Sequence, residues 1–287
     1  MPATFTSPTS AASLCEPIVL QARRGWCRVD LAELWRYRDL LGLLALRDIQ
    51  IRYKQTALGA AWAVIQPLVT MVVLNVFFGR LMGVADRVEG AGYPIFLFAG
   101  LLPWTLFASS TSACANSLVA NGHIMTKVYF PRLVVPLSAV GAPLLDYVIG
   151  LVVLYGLMIW YGTAITAKLV LIPLLVGSTL IAVLGVGVLL ASLTVSYRDF
   201  RHVVPFLIQT LFFLTPVIYP ITIVPQAWRW VLSLNPMGGT IQAFRAAILN
   251  TPIDYGAWGL STAIGAAALV AGLAYFQRAE RQFADVV

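Results

Sequence analysis

Charged side chains are scarce in this chain: Asp, Glu, Lys and Arg make up 11% of 287 residues, against roughly 25% in ordinary globular proteins. So few ionic groups cannot cover a soluble body of this mass, and a soluble enzyme is excluded. Histidine is reduced to His123 and His202, which leaves no metal-ligand cluster, and no serine nucleophile elbow is present. None of the three lysines (Lys54, Lys127, Lys168) follows a glycine, so the chain lacks a phosphate-binding P-loop and cannot hydrolyse ATP by that route. Cys15, Cys27 and Cys114 cannot all pair, and free thiols are expected. The first 22 residues contain neither Lys nor Arg, nor an apolar run of signal-peptide length. A mobile, Ser/Thr/Pro-rich cytoplasmic tail over residues 1–29 is therefore predicted.

What is abundant is apolar surface. Hydrophobic residues reach 60%, the mean hydropathy is +0.84, and the net charge is +7. About 20 apolar residues in helix cross a bilayer core, and six stretches suit this: 58–78, 93–114, 133–160, 169–195, the shorter 203–219, and 257–276. Six spans put both termini on one side. If that side is cytoplasmic, its segments carry Arg23, Arg24, Arg28, Arg36, Arg38, Arg47, Arg52 and Lys54 together with Lys127, Arg132, Arg198, Arg201, Arg278 and Arg281, fourteen in all. Only Arg80, Arg87, Lys168, Arg229 and Arg245 fall outside. Fourteen against five orients both termini inwards by the positive-inside rule, and the +7 becomes a topology signal rather than a nucleic-acid one.

Residues 30–54 predict an amphipathic interface helix with a basic flank, ahead of a transmembrane domain over 55–287. Asp30 and Glu33 have capping-box spacing, and Leu34, Tyr37, Leu41 and Leu44 share a helical face. That face rests either on the membrane surface or on a partner. Pro67, Pro103, Pro136, Pro143, Pro205 and Pro216 fall within spans, which suits kinked helices around a path and equally a structural bundle. Between the last two spans, 226–234 and 236–249 read as short helices, with Asn235 as N-cap and Pro236 at the first helical position. Neither is long enough to cross, so both dip into the outer leaflet as a re-entrant pair, which needs protein or a water-filled cavity around it. Trp228, Trp230 and Phe244 then either gate its outer mouth or form an interfacial aromatic belt. Asp146, the one acidic residue well inside a span, marks either a functional site or an inter-helix hydrogen bond.

Four pieces in register carry a family resemblance. Arg47-Asp48-Ile49-Gln50-Ile51-Arg52-Tyr53-Lys54, followed by Thr56, Leu58-Gly59, Trp62 and Gln66-Pro67, resembles the approach to the first span of the permease subunits of ABC-2-type polysaccharide exporters. These export O-antigen, capsule or teichoic acid chains. Lys127-Val128-Tyr129-Phe130-Pro131-Arg132 resembles their first cytoplasmic connection. Ser196-Tyr197-Arg198-Asp199 with Thr215-Pro216-Val217-Ile218-Tyr219-Pro220, then Asn235-Pro236 with Phe244-Arg245, resemble the later spans and the outer re-entrant pair. The similarity runs from about Leu43 to Ala279.

The resemblance implies an all-α, six-span permease of the bacterial inner membrane, not itself catalytic. It implies a second copy of the chain and two copies of a separate ATPase carrying ATP and Mg, with a lipid-linked polysaccharide passing between the permeases. Rival readings are an ABC-2 exporter of drugs or small lipids, and an integral-membrane glycosyl or acyl transferase. A coupling helix is expected within 116–127, where Asn116, Asn121, Gly122 and Lys127 give a polar, turn-prone segment, and Arg198, Asp199 and Arg201 are a second ATPase contact. Arg47, Arg52 and Lys54 suit the carrier's pyrophosphate head group or are plain positive-inside charge. Trp62, Phe77, Phe96, Trp104, Phe107, Phe212 and Phe213 are candidate channel aromatics, since sugar C–H faces pack on rings without directional bonds.

Overall fold

The structure, a computed structural model, describes residues 31–54, 59, 61–88, 92–125, 127 and 129–280. Among the described residues every regular element is helical. The tail over 1–29 and the cap candidate Asp30 lie outside them.

Helix α1 (Leu31–Arg36) continues almost directly into α2 (Arg38–Lys54). The Tyr37 N–H is shared between the Glu33 and Leu34 carbonyls, both at 3.2 Å, so one turn tightens without the axis being lost. The predicted face of Leu34, Tyr37, Leu41 and Leu44 does form. It is covered by the chain itself: Leu44 is buried, and the face packs with Val134, Val135 and Phe276. Trp35, Leu43 and Leu46, on the other side of the helix, are more than half exposed.

Five helical stretches are long and apolar enough to cross a bilayer: Ala61–Leu81, Tyr93–Ala120, Val134–Trp160, Ala167–Ser196 and Tyr255–Ala279. They coincide with the first four predicted spans and the last. The first is α3 (Ala61–Leu74), running on as a π-helical turn over Asn75–Leu81. Next come α4 (Tyr93–Ala120) and the single turn α5 (Gly122–Met125). The third stretch joins α6 (Val134–Ser138) to α7 (Gly141–Trp160), and α8 spans Ile172–Ser196.

The predicted fifth span, 203–219, is corrected to the 15-residue α9 (Phe200–Leu214). Pro216 explains the early stop. A residue before proline is pushed out of the helical region, and Thr215 is extended at φ −88°, ψ 137°. The outer segment then forms 3-10 turns at Ile221–Ile223 and Gln226–Trp228, α10 (Arg229–Ser233) and α11 (Gly238–Ile248). Helix α11 starts later than predicted. Asn235 caps a turn rather than the helix, its Oδ1 accepting the Met237 N–H at 3.0 Å while its carbonyl accepts Gly238 N–H. Helix α12 (Tyr255–Ala279) is the last among the described residues.

Helix α4 is the hub, with Ile95, Leu97, Phe98 and Leu118 fully buried and α7, α8 and α11 packed around it. Lipid tails are as apolar as these side chains, so close contact rather than exclusion of water must hold the helices together. The α8–α12 contact shows how: a Cβ on Gly185 would stand 2.7 Å from the Gly265 carbonyl oxygen, so only glycine lets the two backbones meet. By contrast α3 and α9 each bury a single side chain outright besides the π-turn's Gly79, Met71 and Val204 respectively.

Candidate functional site

Two polar clusters lie at opposite ends of the helical stretches. At the α2 end, the Arg52 guanidinium meets the Asp146 carboxylate of α7 at 2.6 Å, and the Tyr53 hydroxyl donates to the other carboxylate oxygen. Burial first, and that hydrogen bond second, push the Tyr53 phenol up to about 12, so it stays a donor throughout the physiological range. The spacing along α2 explains the arrangement, because its last turn faces the first turns of α7. One turn earlier, Arg47 bonds Asp48 at 2.8 Å and the Asn121 side-chain oxygen at 2.7 Å, where α4 ends and α5 begins. Helix α2 is thereby tied both to α7 and to the α4–α5 junction. Arg132 donates to the Glu280 carbonyl at 2.6 Å, joining the approach to α6 to the end of α12.

The other cluster surrounds the break after α9. Arg245 of α11 is only 5% exposed, yet no described carboxylate pairs with it. Its Nη1 donates to the Pro216 carbonyl at 2.6 Å, its Nη2 to the Val217 carbonyl, and its Nε to the Phe96 carbonyl of α4 at 3.1 Å. Its Cζ lies 3.7 Å from the centroid of the Phe96 ring, a cation–π contact. Tyr93 donates to the Ile218 carbonyl at 2.7 Å, and Asn235 Nδ2 to Thr215 Oγ1 at 2.6 Å. The break after Leu214 leaves carbonyls without helical partners, and Arg245 and Tyr93 supply the donors for those of Pro216, Val217 and Ile218. Lys168 follows the same rule at the end of α11, donating to the Asn250 and Thr251 carbonyls at 3.2 and 2.9 Å.

A family model described as ABC-2 type transporter matches residues 39–249. The chain belongs to the ABC-2 type transporter family. It is similar to an O-antigen export system permease protein RfbA of Klebsiella pneumoniae, 30% identical over 87% of this chain and 95% of the relative. An RfbA permease of Myxococcus xanthus is 34% identical over 75% of this chain and 82% of its own. The polysialic acid transport protein KpsM of Escherichia coli is 25% identical over 74% and 82%. The chain is thus a multi-pass membrane subunit of a transporter.

Within this ABC-2 subunit the sequence-derived candidates separate by exposure. Phe96, Trp104, Phe107 and Phe244 are buried within the chain, whereas Trp62, Phe77, Phe213, Trp228 and Trp230 are each more than half exposed. Trp104 and Phe107 have ring centroids 5.6 Å apart, and Phe212 bridges from Trp104 at 5.6 Å to Phe213 at 5.5 Å, linking the core to the exposed face of α9. Phe244 is buried and meets Tyr147 edge-on. Asn116, Lys127, Arg198, Asp199 and Arg201 are exposed; Asn121 is occupied by Arg47, and Gly122 is buried. Of the head-group candidates, Arg47 and Arg52 are paired as above and Lys54 is exposed. Tyr53 and Tyr93 were not legible as site residues, since nothing in a tyrosine's sequence position shows which carbonyl or carboxylate it reaches. Arg245 was visible as one of five outer charges and as part of the Phe244-Arg245 pair in the family resemblance, with no role attached to it. Its signal was a lone cation in an otherwise apolar short helix.

Proposed function

We propose that this chain is the permease subunit of an ATP-driven exporter of a lipid-linked polysaccharide of the O-antigen type. The observation that carries this is similarity across nearly the whole length of O-antigen export permeases. Two copies would enclose the path and two copies of a separate ATPase would bind below, with ATP and Mg on that partner. The absence of a Gly-Lys phosphate site in this sequence agrees with an energy source in another chain. In this reading α9 is the fifth of six spans, both termini are cytoplasmic, and α2 lies at the inner surface with Trp35, Leu43 and Leu46 towards lipid.

The exposed faces support a path between copies rather than within one. Helix α3, its π-helical continuation and α9 leave Trp62, Phe77, Phe206 and Phe213 uncovered, and α9 adds the exposed polar pair Gln209 and Thr210 in mid-helix. Rings offer sugars a surface without directional traps. Asn121 and the exposed Asn116, Lys127, Arg198, Asp199 and Arg201 form the ATPase-facing end, and Lys54 with the exposed side of Arg52 receives the carrier's pyrophosphate.

Co-purification with co-expressed partners tests the assembly, and recovery without any P-loop subunit would sink it. Deleting the gene should leave lipid-linked glycan accumulating inside the cell; normal surface polysaccharide would overturn the substrate reading. Trp230→Ala should alter export while leaving ATPase assembly intact, and an unchanged rate would make the outer tryptophans a belt only.

A further inference from the structure

The outer segment divides into two unequal halves. Helix α11 is buried along its length apart from the partly covered Gln242, whereas residues 226–234 bury only Ser233 and expose Trp228 and Trp230. Arg245 stands where the buried half meets the rest. Its guanidinium reaches three backbone carbonyls on two other elements, the broken end of α9 and the first turn of α4. All of these are main-chain acceptors, so one buried side chain is tied to the backbone of two other elements rather than to another mobile side chain. Room for it is built into α4: a Cβ on Gly100 would stand 2.8 Å from Arg245 Cζ, so any larger residue displaces the guanidinium. A planar fork with several donors is needed here, and lysine cannot reproduce it.

We propose that Arg245 is a positioning residue that locks the outer ends of α9, α4 and α11 into one body, so that the outer mouth opens by movement of residues 226–234 and not by parting α9 from α11. The inference rests on the transport reading above and adds where the gate moves and what holds its frame. Phe244 belongs to the frame. Trp228 and Trp230 belong to the moving part.

The test uses the chain co-purified with its ATPase and reconstituted in lipid, with Cys15→Ser and Cys27→Ser and the buried Cys114 retained. Spin labels at Leu214→Cys and Thr251→Cys report the separation of the α9 and α11 ends. The expected result is one narrow distance distribution that nucleotide trapping does not shift. Arg245→Met should broaden it and lower export about tenfold, the size of effect that coupling residues exert, with ATPase assembly intact. Should that variant not fold, Arg245→Lys, which keeps the charge and loses the fork, or Gly100→Ala, which crowds the guanidinium, is expected to broaden it as well. A distribution unchanged in the folded variants overturns the proposal. So does a shift of the wild-type ends on trapping, or unaltered export from a variant whose distances have broadened. The distances need no cargo, so an error in the substrate reading abolishes measurable export in the wild type too, whereas an error about Arg245 leaves wild-type export untouched.

Discussion

Cations at the two ends of this molecule choose different partners. At the α2 end Arg38, Arg47 and Arg52 meet the side-chain carboxylates of Asp39, Asp48 and Asp146, with Arg132 on the Glu280 carbonyl as the exception. At the opposite end Lys168, Arg229 and Arg245 all meet backbone carbonyls. An ion pair between partly exposed side chains contributes little and exchanges readily. Arg245, buried on main-chain oxygens, has no such freedom, because its removal leaves the Pro216 and Val217 carbonyls without their donor. On the proposed function the first end is suited to trading partners with an ATPase or a phosphate, and the buried Arg245 at the second to holding a shape.

The contrast yields a graded series of effects on thermal stability in detergent. Arg245→Met should cost the most, about 3 kcal/mol, through buried carbonyls left unsatisfied; a loss below about 1 kcal/mol would show that water replaces the guanidinium. Asn235→Leu removes the donor to Thr215 and the acceptor for Met237, and about 2 kcal/mol should follow from those contacts. Asp146→Asn keeps shape and an acceptor while discharging the Arg52 pair, so about 1 kcal/mol is expected, shrinking as salt is raised. A loss as large as that of Arg245→Met would erase the distinction between the ends. Smallest is the Arg47–Asn121 coupling: a double-mutant cycle of Arg47→Ala with Asn121→Ala should return about 0.5 kcal/mol, while coupling of ATP turnover to export falls measurably.

The long apolar runs were readable because a bilayer imposes one length on every crossing helix, and the stretches ending at Ala120, Trp160 and Ser196 differ from expectation mainly in where the caps fall. Thr215 was harder, since Pro216 acts on the residue before it and an apolar count passes over both. Asn235 was read as a helix cap for its residue type, but its side chain closes a turn two residues earlier than α11. The face of Leu34, Tyr37, Leu41 and Leu44 was legible as a face, whereas its cover of Val134 and Phe276 comes from distant sequence. Arg245 escaped for a related reason: a charge count registers sign and side, while burial against Phe96, Pro216 and Val217 exists only after folding.

The shortness of α9 has a consequence for the bilayer itself. Fifteen residues of α-helix rise about 22 Å, about 8 Å less than a typical hydrocarbon core. On the proposed topology the oily barrier beside α9 is therefore thinner than elsewhere around the protein, and lipid headgroups are drawn inwards to meet the turn at Thr215 and Pro216. If the proposed path runs along α9, a hydrated cargo would cross a shorter low-dielectric stretch than the membrane otherwise imposes, so geometry would lower part of the energetic cost of crossing.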